Sequence, residues 1–536
     1  MESKTEVVGL RSLPKQQITI TMAGVLLAMF MSSLDQTIVG TAMPRIIADL
    51  GGFTQYTWIT TAYLLTSTVV LPIVGKLTDM YGRKWFYTVG LIIFVFGSLL
   101  CGLSQTMTQL IFFRAFQGIG AGILMANTFI VIGDLFPPAE RGKYQGLISG
   151  VFGLSYVIGP TLGGFITDRF SWHWIFYINV PLGLLVIILF IFFFPHLRPD
   201  RIKHQLDYAG ITLLVLATVS AMLAMTWGNV QYPWLSVPII SMFIFSAIMA
   251  ALFIMVERRS PEPILPLSLF SNRIVNVSIL SVFFTGIGMF GSIVFVPLFF
   301  QGVLGLSATA SGNFMMPMML GTVFGSFVSG QALSRAGGHY RIQGMFGLSI
   351  MALGMGLLTR MTPETTYTTA IIDVILVGFG LGTTFPLYTI AVQNAVPYKF
   401  MGVATSSTVF FRSLGASFGL AVLGSVMSNR FVAEFTGQLP PAVLNAVPRE
   451  LLSSLARNPQ ALVSPEAQTQ LQNLLSQAGP QGAQLFEQVL QALRQALSSA
   501  LITVFFIGLI IILIAFVINL FNKEIPLRRH HHTTDE

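Results

Sequence analysis

Three ionisable residues, Asp35, Arg114 and Asp373, fall inside stretches otherwise too apolar to carry charge. A carboxylate there holds its proton more tightly when it loses water and less tightly when a guanidinium approaches. A conformational change that alters either term loads and releases a proton, which is the chemistry of a proton-coupled carrier. Asp35 lies about seventeen residues into the first apolar stretch, within Ser33-Leu-Asp-Gln-Thr-Ile-Val-Gly-Thr-Ala-Met-Pro44. A structural hydrogen bond beside Pro44 is the plainer reading of the same residue. Arg114 stands four residues before the alternating glycines Gly118, Gly120 and Gly122; Asp373 stands five before Gly378, Gly380 and Gly382. If the two segments are equivalent helices of two related halves, these opposite charges project toward one central cavity.

A second constellation is the compact charged segment Gly75-Lys-Leu-Thr-Asp79-Met-Tyr-Gly82-Arg83-Lys84. Asp79 suits the positive N-terminal end of a helix from the other half, and Arg83 suits Asp134, together forming a latch that breaks when the halves rock. Arg412, also inside an apolar span, is expected at this gate or at the membrane interface. A third is Gly153-Leu-Ser-Tyr-Val-Ile-Gly159-Pro160-Thr-Leu-Gly163-Gly164. Gly159 and Gly163 share one helix face, where absent side chains admit a second helix, and Pro160 removes a backbone donor.

The elements that must hold these residues are membrane spans. Of 536 residues 54% are apolar and only 9% charged, with mean hydropathy +0.75, far from a soluble composition. Apolar spans are expected near 18–40, 55–75, 86–104, 110–133, 145–167, 174–194, 208–227, 236–256, 274–302, 308–333, 342–359, 367–395, 403–428 and 499–521. Fourteen spans put both termini on one side. With that side cytoplasmic, 20 of the 29 Lys and Arg lie inside, seven outside and two, Arg114 and Arg412, within spans. This asymmetry, rather than a nucleic-acid partner, accounts for the net charge of +8. Cys101 is the lone cysteine and the seven histidines are scattered, so no metal and no cofactor is expected.

The halves echo each other. Gly75/Gly82 is matched by Gly330/Gly337, the first alternating glycines by the second, and Gly159/Gly163 by Gly415/Gly419. The expected fold is all-α and integral to the membrane: a six-helix bundle over 1–194, linkers with inserted helices seven and eight over 195–273, and a second six-helix bundle over 274–536. The last bundle contains an external loop at about 430–498 and a cytoplasmic tail. That loop, with short amphipathic helices such as the stretch from Ala483, packs on the bundle or offers a surface to an extracytoplasmic partner.

These motifs resemble the major facilitator superfamily, specifically its fourteen-helix drug:proton antiporter family. Leu34-Asp35-Gln-Thr-Ile-Val39 with Ala42-Met-Pro44 is similar to the family's first-helix motif, Gly75 to Lys84 to its loop motif, and Arg114-Ala-Phe-Gln-Gly-Ile-Gly120 to its fourth-helix motif. Gly153 to Gly164 resembles the antiporter motif, and Trp172-His-Trp174-Ile-Phe-Tyr-Ile-Asn179-Val-Pro181-Leu-Gly183 the start of the sixth helix. Two positions depart from the pattern: Met80 and His173 each stand where Arg is common. The resemblance implies alternating access, export of lipophilic, cationic drugs or other amphipathic compounds, and inward proton flow across the cell membrane. It also implies Asp35 as a proton or cation site, Arg114 as a relay that modulates protonation, and Asp79, Arg83 and Asp134 as the cytoplasmic gate.

A large apolar pocket should follow, with Tyr63, Phe283, Phe284, Phe290, Gln301, Asn313, Met315, Met319, Phe385 and Tyr388 as candidate lining residues. The expected partners are small lipophilic substrates, protons and membrane lipids. An exporter of lipids or amphipathic metabolites is the alternative, ahead of a channel or transporter-like receptor. Neither Gly75-Lys76 nor Gly142-Lys143 completes a phosphate-binding loop, and no clustered catalytic residues suggest an enzyme.

Overall fold

A backbone buried in lipid must satisfy its own hydrogen bonds, and long apolar segments do so as helices. The computed structural model describes residues 14–50, 55, 57–195, 205–306, 308–439, 443, 452, 472 and 482–527. The first bundle comprises α1 (Lys15–Leu50), α2 (Thr57–Tyr81), α3 (Arg83–Gly102), α4 (Met107–Leu135), α5 (Pro138–Arg169), the single turn α6 (Trp174–Tyr177) and α7 (Asn179–Phe193). An antiparallel pair follows, α8 (Tyr208–Trp227) and α9 (Val237–Glu257). The second bundle comprises α10 (Arg273–Gly302), α11 (Ala308–Ala336), α12 (Tyr340–Leu358), α13 (Tyr367–Ala395), α14 (Met401–Gln438) and α15 (Gly482–Leu520). With α6 and α7 taken as one crossing, the order matches the fourteen expected spans, and thirteen are apolar enough to cross a membrane among the described residues.

The ends of α14 and α15 differ from the sequence-based expectation. Residues 430–438 and 482–498, expected as external loop, are helix. The amphipathic stretch from Ala483 is no separate surface helix but the beginning of α15, because no proline interrupts its helical period before the membrane span. Its apolar face, Leu485, Val489, Leu493 and Leu497, is buried in one core with Phe299, Phe300, Phe431 and Phe435. The rest of the loop, and with it the expected partner surface, lies outside the described residues apart from Leu439, Val443, Leu452 and Gln472.

The glycine echoes have one physical cause each. On α4, a side chain at Gly118 or Gly122 would overlap the α2 backbone at Tyr63 and Ser67, and one at Gly120 the α3 backbone at Phe94. On α13, Gly378 and Gly382 meet the α11 backbone at Met318 and Thr322, and Gly380 meets α12 at Met351. Each fourth helix is thus wedged between the second and third of its own bundle. Likewise Gly159 and Gly163 receive Thr37 and Thr41 of α1, while Gly415 and Gly419 receive Phe283 and Ile287 of α10. Helix α5 continues through Pro160.

The bundles meet where α2 and α11 end and α5 and α14 begin. There Gly142 of α5 lies against Gly330 of α11, and Gly75 of α2 against Gly402 of α14, two small-residue crossings related by the repeat. Ser149 donates to Ser326 at 2.7 Å, and Arg141 to Gln393 at 3.0 Å, both across the bundles. Lys76, Arg83, Lys84, Arg141, Lys143 and Lys399 gather at this end. Toward the opposite end, a methyl at Gly40 or Gly164 would meet nothing within 4 Å. The inserted helices α8 and α9 pack on each other, and α8 lies along α2 and α14.

Candidate functional site: a buried carboxylate network, a latch and a central cavity

Asp35 is fully buried at the middle of α1. One carboxylate oxygen accepts from Arg114 Nη1 of α4 at 2.6 Å. The other accepts from Gln117 Nε2 at 2.9 Å and from Asn179 Nδ2 at 3.0 Å. Arg114 also donates to Gln117 Oε1 at 2.9 Å, and Asn179 to Ser98 Oγ at 3.0 Å. Four helices, α1, α3, α4 and α7, therefore meet in one network, in which α4 and α7 donate to the carboxylate of α1 and α3 holds Asn179. An ion pair with 1% and 0% exposed side chains is tolerable only because donors surround the anion. The Arg114 guanidinium lies 4.1 Å from the centre of the Tyr63 ring on α2.

Gln117 and Asn179 escaped the reading of the sequence as site residues. Gln117 had a usable signal, since it stands three residues after Arg114 on one helix face. Asn179 had none beyond membership of the sixth-helix motif, because the break between α6 and α7 that places it at a helix start is a tertiary feature.

At the end where the bundles meet, Arg83 Nε donates to Asp134 at 2.9 Å and its Nη2 to Asp79 at 2.6 Å. Asp79 also accepts backbone N–H groups from Gly402 at 3.0 Å and Val403 at 2.9 Å, the first turn of α14. The carboxylate therefore caps the positive end of a helix from the other bundle. Gly82 permits the tight α2–α3 turn by adopting φ 92°, a left-handed conformation open to glycine. Its repeat equivalent Gly337 has φ 75°, but Ser334 stands where Asp79 stands in the first repeat. Among the described residues, the charged latch exists in the first of the two repeats only.

Arg412 does not belong to this latch: the structure places it in a central cavity. Eleven residues beyond Met401, the start of α14, it is farther along the helix than the turn that Asp79 caps. The cavity, of about 190 Å³, lies between the bundles and is lined by Ser32, Gln36, Tyr63, Phe152, Tyr156, Met289, Met319, Phe385 and Arg412 among others. Of the expected pocket residues, Tyr63, Met319 and Phe385 line it. Phe283, Phe284, Gln301, Met315 and Tyr388 do not: Phe283 and Phe284 pack into the second bundle's core, and Tyr388 donates to Asn519 at 3.2 Å. The side chains of Phe290 and Asn313 lie outside those described. Asp373 is 3% exposed, sits near the start of α13, and does not join Asp35 and Arg114. Gly153 lines the cavity, whereas Gly159, Pro160, Gly163 and Gly164 do not; Gly159 and Gly163 hold α5 against α1.

Two repeated six-helix bundles joined at one end around an apolar cavity, with a buried ion pair beside it, define a membrane transporter of the two-bundle class. The chain belongs to the Major Facilitator Superfamily, whose family model matches residues 25–420. It is 42% identical over 511 residues to the "Multidrug transporter protein MdtP" of Bacillus subtilis (strain 168), covering 95% of this chain and 94% of that one. It is 40% identical over 498 residues to "Multidrug resistance protein 3" of the same organism, covering 93% and 94%. Among solved structures, the human organic anion transporter MFSD10 (TETRAN) shares the fold, with TM-score 0.59 at 13% identity over 93% of this chain and 100% of that one.

Proposed function

We propose that this protein is a drug-efflux transporter, a proton-coupled antiporter that exports lipophilic and amphipathic compounds by alternating access. One observation carries the coupling: Tyr63 forms part of the cavity wall and also lies against the guanidinium paired with Asp35. A proton arriving at Asp35 cancels the anion, leaves Arg114 without its charge partner and loosens the joint between α1 and α4. Helix α1 is keyed to α5 through Thr37 and Thr41, and α5 carries Gly142 at the crossing of the two bundles. Protonation thus bears on the latch through two directly packed helices.

The lysine-rich and arginine-rich latch end is assigned to the cytoplasm by the charge asymmetry, with both termini on that side of the cell membrane. In that orientation the cavity is closed toward the cytoplasm. The multidrug names of the two bacterial relatives support export of small apolar compounds, and the mainly apolar lining supports the same class. The test is substrate-linked proton release. Purified protein in weakly buffered detergent solution with a pH-indicator dye should release protons when a transported compound is added, and Asp35→Asn should release none. Release undiminished in Asp35→Asn would assign coupling elsewhere.

A further inference from the structure

We infer that the cavity has a subsite for the anionic head of an amphipathic compound, and that Arg412 is its receptor. The inference rests on the export reading above and names the charge class of what is exported, opposite in sign to the cationic drugs that the family resemblance implies.

Of the described residues that line the cavity, Arg412 alone carries a formal charge. It is 7% exposed, and its Nη2 is buried with no hydrogen-bond partner. Its guanidinium lies 4.3 Å from the centre of the Phe385 ring. Stacking of this kind stabilises the cation through the ring face and leaves the donors at the guanidinium edge free. The other buried guanidiniums near the bundle interface each have carboxylate or carbonyl partners, although Arg83 Nη1, like Arg412 Nη2, makes no hydrogen bond. Arg114 is paired with Asp35, Arg83 with Asp79 and Asp134, and Arg141 with the Phe136 and Gly133 carbonyls and Gln393. Asp35 and Arg114 cancel, so the excess charge facing the cavity is the single positive charge of Arg412.

An unpaired buried charge is costly, and removing its cost favours a ligand that brings the opposite charge. A carboxylate or phosphate monoester matches the planar donor fork, and the apolar wall of Met289, Ile293, Met319 and Leu420 accepts a hydrophobic body. A lipophilic cation meets repulsion at the same place. An exogenous amphipathic acid and an anionic phospholipid share this chemistry.

The test uses three probes with one apolar body: pyrenebutanoate, its methyl ester, and pyrenebutyl-trimethylammonium. Binding to the purified full-length protein is measured near neutral pH, where the acid is ionised. A charge-assisted hydrogen bond predicts that the carboxylate binds roughly 10- to 100-fold more tightly than either other probe. In Arg412→Gln the ratio of acid to ester affinity should fall to near one, and Arg412→Lys should restore part of it. Equal or tighter binding of the ester or ammonium by wild type overturns the inference without depending on any variant folding. So does a carboxylate preference that survives in Arg412→Gln. Competition by short-chain phosphatidylglycerol but not phosphatidylcholine identifies a lipid phosphate as one source of the anion; no competition leaves the exogenous acid. The export reading fails separately, if none of the probes that bind moves across proteoliposomes under an imposed proton gradient.

Discussion

Neutralising Asp79 should open the latch, and the geometry gives the size of the effect. In the closed arrangement its carboxylate accepts from two backbone N–H groups of α14, at 3.0 and 2.9 Å, and from Arg83 at 2.6 Å. An asparagine keeps the shape but turns charge-assisted bonds into neutral ones and presents an amide donor toward one N–H. Each such change is worth about 1–1.5 kcal/mol. Arg83 retains Asp134 at 2.9 Å, so its desolvation is still compensated and no full buried-charge penalty applies. The closed state should therefore lose about 2–3 kcal/mol, which moves the open-to-closed ratio roughly 30- to 150-fold toward open. Spin labels at Lys143→Cys and Lys399→Cys, both exposed and on different bundles at this end, in a Cys101→Ala background, read that ratio as a distance distribution. Asp79→Asn should move population to longer distances, and Asp79→Glu, which keeps the charge, should move less. A distribution for Asp79→Asn that superimposes on wild type refutes the reasoning, because it means that the small-residue crossings alone hold this end shut.

The crossings make their own prediction: Gly142→Leu places a side chain into the Gly330 backbone, so the same labels should report an open end and transport should fall at least about tenfold; wild-type transport by this variant sinks the claim of close approach. Within one motif, Gly163→Ala should lower thermal stability by about 1–3 kcal/mol because its methyl meets Ile38 and Thr41, whereas Gly164→Ala faces open space and should be neutral or slightly stabilising. Equal melting temperatures for the two variants would remove packing as the reason for that glycine pair. Asn179→Ala takes one of three donors from Asp35 and empties the link to Ser98, so substrate-linked proton release should weaken while folding persists. Proton release equal to that of wild type contradicts the role.

Composition and periodicity are enough to settle the class of this protein, because a membrane leaves a helix as the only way to satisfy an isolated crossing segment. The order of the helices and the duplication follow as well, since glycines at four-residue spacing mark helix faces and repeat in the same sequence. Asp35, Arg114, Asp79, Arg83 and Asp134 stand out in the sequence for one reason: charge in an apolar span is expensive enough to be conspicuous. Polar but uncharged partners carry no such mark. Gln117, Asn179 and Gln393 become site residues only because the helix packing brings them within hydrogen-bond distance of a charge, and Ser98 because it accepts from Asn179. Arg412 shows the same limit from the other side, since its place in the chain suggests the latch or the membrane interface, and the structure puts it in the cavity. Only the tertiary packing decides that it points at Phe385 rather than at Asp79, because the rotation of α14 is set by Gly415 and Gly419 seated on α10. The sequence by itself determined which residues are costly to bury; the three-dimensional arrangement alone decided which of those costs are compensated within the protein and which, at Arg412, is left for a ligand.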